Sequence, residues 1–175
     1  MNRKKTILLI IDVILMGLFV FLDQLSKYYA ALKLKGEKPF VIADGIFELH
    51  YLENNGAAFG MLQGQKPFFI FIAAVVLAVI VYVILRTPYQ RIYIKLNITL
   101  VLIASGAVGN LIDRIRYNYV IDFLYFSLIN FPIFNVADIY VTVASFYLII
   151  LLLFVYKEND LDFLTFRAKK FRDVK

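Results

Sequence analysis

Four long apolar runs dominate the chain: Thr6–Leu22, Pro67–Leu85, Leu96–Ile112 and Val136–Tyr156. Each is close to the ~20 residues (range roughly 17–25) that an α-helix needs to cross the hydrocarbon of a bilayer. Backbone groups in lipid must be satisfied within their own segment, so the runs predict four transmembrane helices. The remainder predicts two longer loops, 23–66 and 113–135, and a charged tail, 157–175, making one membrane domain of residues 1–175. A second pattern lies in the first loop. Across Ile46–Glu53, Phe47, Leu49 and Tyr51 alternate with Glu48 and His50, the period of a half-buried strand. Gly45 and Asn54-Asn55-Gly56 bracket it as turns. The second loop is rich in aromatics (Tyr117, Tyr119, Phe123, Tyr125, Phe126, Phe131, Phe134) and is expected at the membrane interface, where tyrosine concentrates. The fold class that follows is an all-α integral membrane protein with a small extracytoplasmic β-sheet on the membrane surface.

Composition agrees and adds a direction. The chain is 62% hydrophobic, against about 45–50% apolar for a soluble domain. Its net charge is +6, and twelve of the 19 Lys and Arg residues fall in three places: Arg3–Lys5, the short segment Arg86–Lys95, and the tail Lys157–Lys175. Positive charge stays on the cytoplasmic side. Both termini are therefore expected in the cytoplasm and both longer loops outside. That placement accounts for the basic residues without a nucleic-acid partner. Phe21-Leu22-Asp23-Gln24-Leu25-Ser26-Lys27 follows the first run and offers no small-residue cleavage site, so the run is expected to stay as an anchor. There is no cysteine and one histidine, His50. A cysteine nucleophile and thiolate metal sites are excluded, and any histidine triad or zinc site would rest on His50 alone.

Ionisable groups near a bilayer are costly and are candidates for function. Asp23 ends the first run, Asn110, Asp113 and Arg114 end the third, Asp122 lies in the second outer loop, and Asn135 and Asp138 open the fourth. All fall at one predicted depth, the outer rim of the hydrocarbon, which points to one shared site. Asn110 shares a helix face with Asp113 and Arg114. The run Ala104-Ser105-Gly106-Ala107, with Ser105 and Gly109 four apart, allows close helix packing. Asp122 and Asp138 stand among apolar neighbours. Desolvation raises a carboxyl pKa, and a second carboxyl nearby raises one of the pair further. Such a pair can share a proton, one member activating water while the other polarises a carbonyl. The residues alone equally allow Asp138 to be a helix N-terminal acid favoured by the dipole and Asp122 a turn residue. Asp12, inside the first run, reads as structural, pointing into the bundle or toward Lys5. Three other classes fit the same residues: a proton-coupled transporter, a non-catalytic assembly protein, and a hydrolase whose carboxylates hold a hard cation. A single polar layer makes no path across the bilayer, which weighs against transport.

Five blocks resemble the lipoprotein signal peptidases (signal peptidase II): Asp23-Gln24-Leu25-Ser26-Lys27, Asn54-Asn55-Gly56-Ala57-Ala58-Phe59-Gly60, Gly109-Asn110-Leu111-Ile112-Asp113-Arg114, Val120-Ile121-Asp122-Phe123 and Phe134-Asn135-Val136-Ala137-Asp138. They occur in the family's order on a four-span scaffold. The resemblance implies an aspartic endopeptidase of the bacterial cytoplasmic membrane, needing no metal or cofactor. It would cleave diacylglyceryl-modified prolipoproteins just before the lipidated cysteine, at the outer leaflet rim. By motif, Asp122 and Asp138 take the catalytic positions. Asp23, Asn54, Asn110, Asp113, Arg114, Asn135 and Ala137 take positions that line the substrate pocket or brace the pair. The implied partners are the lipidated substrates, membrane lipid and cyclic peptide inhibitors of the globomycin type, and a monomer is expected. Arg114 is expected to hold a backbone carbonyl of the substrate, the alternative being that it neutralises Asp113. The loop Tyr117–Phe131 is expected to move to admit substrate. The chain departs from the family pattern at Ile139, where a small polar residue is expected, and in its long charged tail.

Overall fold

The computed structural model describes residues 3–56 and 63–164. Residues 57–60 of the second motif block and the end of the tail, 165–175, lie outside the described residues. In chain order the elements are α1 (Arg3–Leu34), β1 (Phe40–Ala43), β2 (Phe47–Asn54), α2 (Lys66–Arg86), α3 (Ile94–Tyr117), β3 (Val120–Tyr125) and α4 (Val136–Ile150). A π-helical turn, Leu151–Val155, extends α4. The four helices are long and apolar enough to cross a membrane, and the protein is a multi-pass membrane protein.

The helices differ in exposure in a way that fixes their arrangement. Within its most apolar stretch α3 is 56% buried, whereas α1, α2 and α4 are 6–11% buried. So α3 is the central helix and the others pack around it, turning apolar faces outward as lipid requires. Ile14, Phe71, Val79, Val143, Phe146 and Leu153 are all exposed. The core joins Ile80 of α2, Leu96, Leu100, Ile103 and Ala104 of α3, and Ala144 of α4. Close approach of α3 and α4 depends on the absence of a side chain at Gly106. A Cβ there would lie 2.5 Å from the Ala137 carbonyl oxygen and 2.6 Å from Val141 Cγ2. The small-residue run on α3 thus packs against the start of α4, where van der Waals fit rather than the hydrophobic effect holds helices together.

Asp23 does not close α1, as the end of the apolar run suggests. The helix runs on to Leu34, because its last three turns have tertiary partners. Lys27 and Ala30 are buried, and Ala30 packs with Ile121 and Phe123 of β3. At ~1.5 Å per residue the 32 residues of α1 span about 48 Å, beyond the ~30 Å hydrocarbon. The excess length supports the sheet.

That sheet has three antiparallel strands in the order β1-β2-β3. Gly45, at φ +65°, makes the β1–β2 turn. β3 has no counterpart in the pattern reading because Val120–Phe123 are buried without alternation. Beyond β3 the chain returns beside it. Phe134 N–H donates to the Leu124 carbonyl at 3.0 Å, and the Phe134 carbonyl accepts from Leu124 N–H at 2.8 Å. This pins the residue before the α4 cap to the strand that carries Asp122.

Gly106→Ala is expected to lower stability in detergent by about 1–3 kcal/mol, the usual cost of overpacking. Gly17→Ala, with nothing within 4 Å of its added Cβ, is expected to be neutral or slightly stabilising. Thermal unfolding of both variants in the same micelle checks the contrast.

Candidate active site

At the sheet end of the bundle an ion cluster joins α1 to α3. Lys27 Nζ lies 2.9 Å from Asp23 Oδ2 and 3.0 Å from Asp113 Oδ2, and all three side chains are at most 2% exposed. Lys27 also donates to Asn110 Oδ1 at 2.9 Å, and Gln24 Nε2 donates to Asp113 Oδ1 at 2.8 Å. Each carboxylate reaches a further element. Asp23 Oδ1 accepts from Ala137 N–H at 2.9 Å, in the first turn of α4. Asp113 Oδ2 accepts from Ile121 N–H at 3.2 Å, on β3. The cluster therefore positions both segments that carry the remaining acids. Ala137 acts through its backbone and its fully buried methyl. Gly109, where a Cβ would meet Asp23 Oδ2 at 2.5 Å, gives the Asp23 carboxylate its space.

Asp122 sits in mid-β3, 2% exposed, with Leu52 as its cross-strand partner. Its diagonal neighbour Asn54 donates to Asp122 Oδ2 at 2.8 Å. Asn135 Nδ2 donates to Asp122 Oδ1 at 2.6 Å. Asn135 is also the N-cap of α4. Its side chain accepts from Asp138 N–H at 3.0 Å, while Asp138 Oδ2 accepts from Asn135 N–H at 3.1 Å, a reciprocal capping box. Asn110 Nδ2 donates to Asp138 Oδ1 at 2.8 Å, and Asn135 Nδ2 also donates to Asn110 Oδ1 at 3.1 Å. Every oxygen of the two carboxyl groups thus receives a hydrogen bond, and Asn135 and Asn110 link one acid to the other. Burial, and secondarily the negative field of Asp138, pushes the Asp122 carboxyl up to about 7.

A cavity of about 500 Å³ opens over the pair, lined by Asn54, Gly56, Asn110, Arg114, Asp122 and Asp138 and walled by Phe69, Phe134, Ile139, Thr142 and Val143. Ile139 and Val143 are exposed on α4, so this wall continues onto the helix's outer surface. Arg114 donates to the Gly56 carbonyl at 3.2 Å and lies 4.6 Å over the Phe69 ring. It bridges α3, α2 and the segment after β2. Asp113 is paired with Lys27, so the expectation that Arg114 neutralises it is replaced by a buried lysine.

All nine sequence-identified residues meet here. Lys27 and Gln24 join them, and a signal for Lys27 existed: it lies four residues after Asp23, the spacing of a helical ion pair. Asp12 lies elsewhere, accepting from Asn97 Nδ2 at 2.5 Å. Lys5 turns away from it to the carbonyls of Leu85 and Thr87. His50 pairs with Glu48 at 2.9 Å on the sheet. Among the described residues no group of three or more His, Asp or Glu is arranged to hold a metal ion.

The arrangement of four membrane-length helices with a small three-stranded sheet is one that solved bacterial membrane enzymes share. One bacterial membrane enzyme, determined by the in meso method at 2.3 Å, aligns with 91% of this chain and 94% of its own at TM-score 0.71 and 28% identity. Another, at 1.9 Å, covers 83% and 94% with TM-score 0.71 and 30% identity. The profile of the signal peptidase (SPase) II family matches residues 15–154, and the chain belongs to that family of proteases. The lipoprotein signal peptidase of Streptococcus pyogenes serotype M1 is 45% identical over 145 residues, 82% of this chain and 91% of the relative. That of Caldanaerobacter subterraneus subsp. tengcongensis is 43% identical over 143 residues, 81% and 95%.

Carbon-13 NMR of labelled aspartate in micelles, assigned by the signal lost in Asp122→Asn, is expected to show Asp122 titrating near 7. A hydrogen bond to a charged group is worth about 1.5 kcal/mol. Asn54→Ala, which removes a donor to the charged form, is therefore expected to move the midpoint up by roughly one pH unit.

Proposed function

We propose that this protein is an aspartic endopeptidase that removes signal peptides from diacylglyceryl-modified prolipoproteins, cutting before the lipidated cysteine, with Asp122 and Asp138 as the catalytic pair. The observation that carries the proposal is the pair's geometry. Two carboxyl groups from separate elements face one cavity, each oxygen held by a donor, and burial pushes one of them, Asp122, up to about 7. The names of the relatives support the substrate class.

The chemistry follows from one shared proton. The ionised carboxylate takes a proton from a water molecule as its oxygen attacks the scissile carbonyl carbon. The protonated partner donates to the carbonyl oxygen, and a tetrahedral diol forms. Proton transfer from the newly protonated acid to the peptide nitrogen accompanies cleavage of the C–N bond, while the partner carboxylate takes back a proton from one diol hydroxyl, releasing a signal peptide that ends in a new carboxyl group and a free amino group on the lipidated cysteine. The pair then again holds one proton. The asparagine donors keep both carboxyl planes fixed throughout, so little reorganisation is needed as charge moves.

A diacylated substrate is already confined to the bilayer. The cavity wall at Ile139, Thr142 and Val143 reaches the outer face of α4 and suits sideways entry of acyl chains. Arg114, above the pair, is suited to hold a substrate carbonyl or to brace the Gly56 segment. The basic clusters support a bacterial cytoplasmic membrane location with both termini inside and the site at the outer leaflet rim. A monomer suffices for the chemistry, a globomycin-type cyclic peptide would compete for the same cavity, and motion of Tyr117–Phe131 would widen it.

In detergent with EDTA, the purified protein is expected to cleave a diacylglyceryl prolipoprotein, read as a gel shift. Asp122→Asn and Asp138→Asn are each expected to lose about 10³-fold or more. Activity is expected to be bell-shaped in pH, with apparent values belonging to the pair. It falls on the alkaline side as the shared proton leaves above about 7. Cleavage that survives both substitutions, or that EDTA abolishes, would overturn the assignment.

A further inference from the structure

Three asparagines hold the acid pair, and each amide has two possible orientations that differ by a flip. An amide oxygen only accepts and an amide nitrogen only donates, so whatever faces the oxygen decides which way the nitrogen points. For Asn54 the deciding group is Gly56 N–H, which donates to Asn54 Oδ1 at 2.9 Å. For Asn135 it is Asp138 N–H, at 3.0 Å. Both are backbone groups that no side-chain substitution removes. Asn110 differs. Its Oδ1 accepts from two side chains, Asn135 Nδ2 at 3.1 Å and the Lys27 ammonium at 2.9 Å. The ammonium is the closer, carries the charge, and has no acceptor to offer a flipped amide. Its three protons are consumed by Asp23, Asp113 and Asn110.

We infer that Lys27 is a positioning residue for the reaction, fixing the amide of Asn110 so that its nitrogen faces Asp138. The inference rests on the reading of Asp122 and Asp138 as the catalytic pair. A flipped Asn110 would set its nitrogen against the ammonium, donor to donor, and its oxygen against the Asp138 carboxylate, acceptor to acceptor. Lys27 forbids that state. With Arg114, it also supplies positive charge to a site that holds four acids. The charged groups facing the pair are Asp23 and Lys27 from α1, Asp113 and Arg114 from α3, and the two acids themselves from β3 and α4. The field of Lys27 favours the ionised form of Asp122. Losing Lys27 therefore moves the shared proton's release to higher pH.

The test compares kcat, KM and pH profile for cleavage of a diacylglyceryl prolipoprotein by the full chain, Lys27→Met, Lys27→Arg and the double variant Lys27→Met/Asp113→Asn. Thermal unfolding and the Asp122→Asn control are run alongside. The double variant keeps the net charge of the buried cluster, so it supplies a folded protein without the ammonium if Lys27→Met alone does not fold. The expected result is a loss of about 100-fold or more in kcat with KM changed less than about threefold, and a profile displaced to higher pH by roughly one unit. Lys27→Arg, which retains charge and donors, is expected to keep the parental pH profile and part of the rate. A folded double variant with the parental rate and profile would overturn the inference. So would a loss that follows unfolding temperature alone while the pH profile stays fixed. If Asp122→Asn cleaves like the parent, the catalytic-pair reading itself fails, an outcome distinct from parental behaviour of the lysine variants alone.

Discussion

A buried ammonium must be compensated, and Lys27 imposes that constraint on the whole sheet end of the bundle. Removing one member of a buried ion cluster typically costs about 3–5 kcal/mol, because the remaining charge is left without a partner. Lys27 is 1% exposed, so two carboxylates must come to it, and they come from different helices. Asp23 and Asp113 then extend to the Ala137 and Ile121 N–H groups. The start of α4 and the start of β3 are thereby tied to α1 and α3 by charge-assisted bonds, which are shorter and stronger than neutral ones. Close packing at Gly106 and Gly109 is the steric counterpart. Without those two hydrogens in place of methyl groups, α4 could not come near enough for Asp23 to reach it.

The two roles open to Asp138 from sequence, helix-terminal acid and partner in an acid pair, are not alternatives in the structure. A carboxylate has two oxygens. Oδ2 completes the capping box with Asn135 N–H, Oδ1 takes the Asn110 amide, and the side chain lines the cavity. The cap orients the side chain that the proposed reaction uses, so stability and function draw on the same bonds. Asn135 does likewise, with its oxygen in the cap and its nitrogen on Asp122. Losing activity through either residue would therefore not by itself separate a structural role from a chemical one, whereas a pH profile would.

The legible parts of the sequence were those with strong physical signals. Four apolar runs identified four helices, and the polar residues near their ends are ones that the fold brings to one cavity and its supporting cluster. Phe47, Leu49 and Tyr51 alternating with Glu48 and His50 identified the strand that runs Phe47–Asn54. What stayed hidden depends on tertiary contacts. The end of α1 was obscured because Lys27, Ala30 and their neighbours are held by the sheet and not by lipid, so hydropathy falls while the helix continues. β3 was obscured because its first four residues are buried on both faces, which erases the alternation that marks a strand. Lys27 was visible at helical spacing from Asp23, yet a lysine beyond an apolar run reads as a solvated flank until Asp113 is known to stand opposite.

Burial gives the same cluster its chemical value. In water the Lys27–Asp23–Asp113 charges would be screened and their influence on a neighbouring carboxyl small. Enclosed within the protein, they act at lower effective dielectric, where a charge a few ångströms away moves a proton equilibrium strongly. Asp122 feels both sides of this balance: burial and Asp138 disfavour its charge, while Asn54, Asn135 and Lys27 favour it. A value near neutrality means that the raising influences outweigh the lowering ones, though not so far that the carboxyl is locked in its protonated form. Full burial without the donors would leave Asp122 permanently protonated, and full solvation would leave it permanently ionised. A site at the sheet end of the bundle, between the helix ends and the strands, is where a chain of this kind can hold both influences on one carboxyl group.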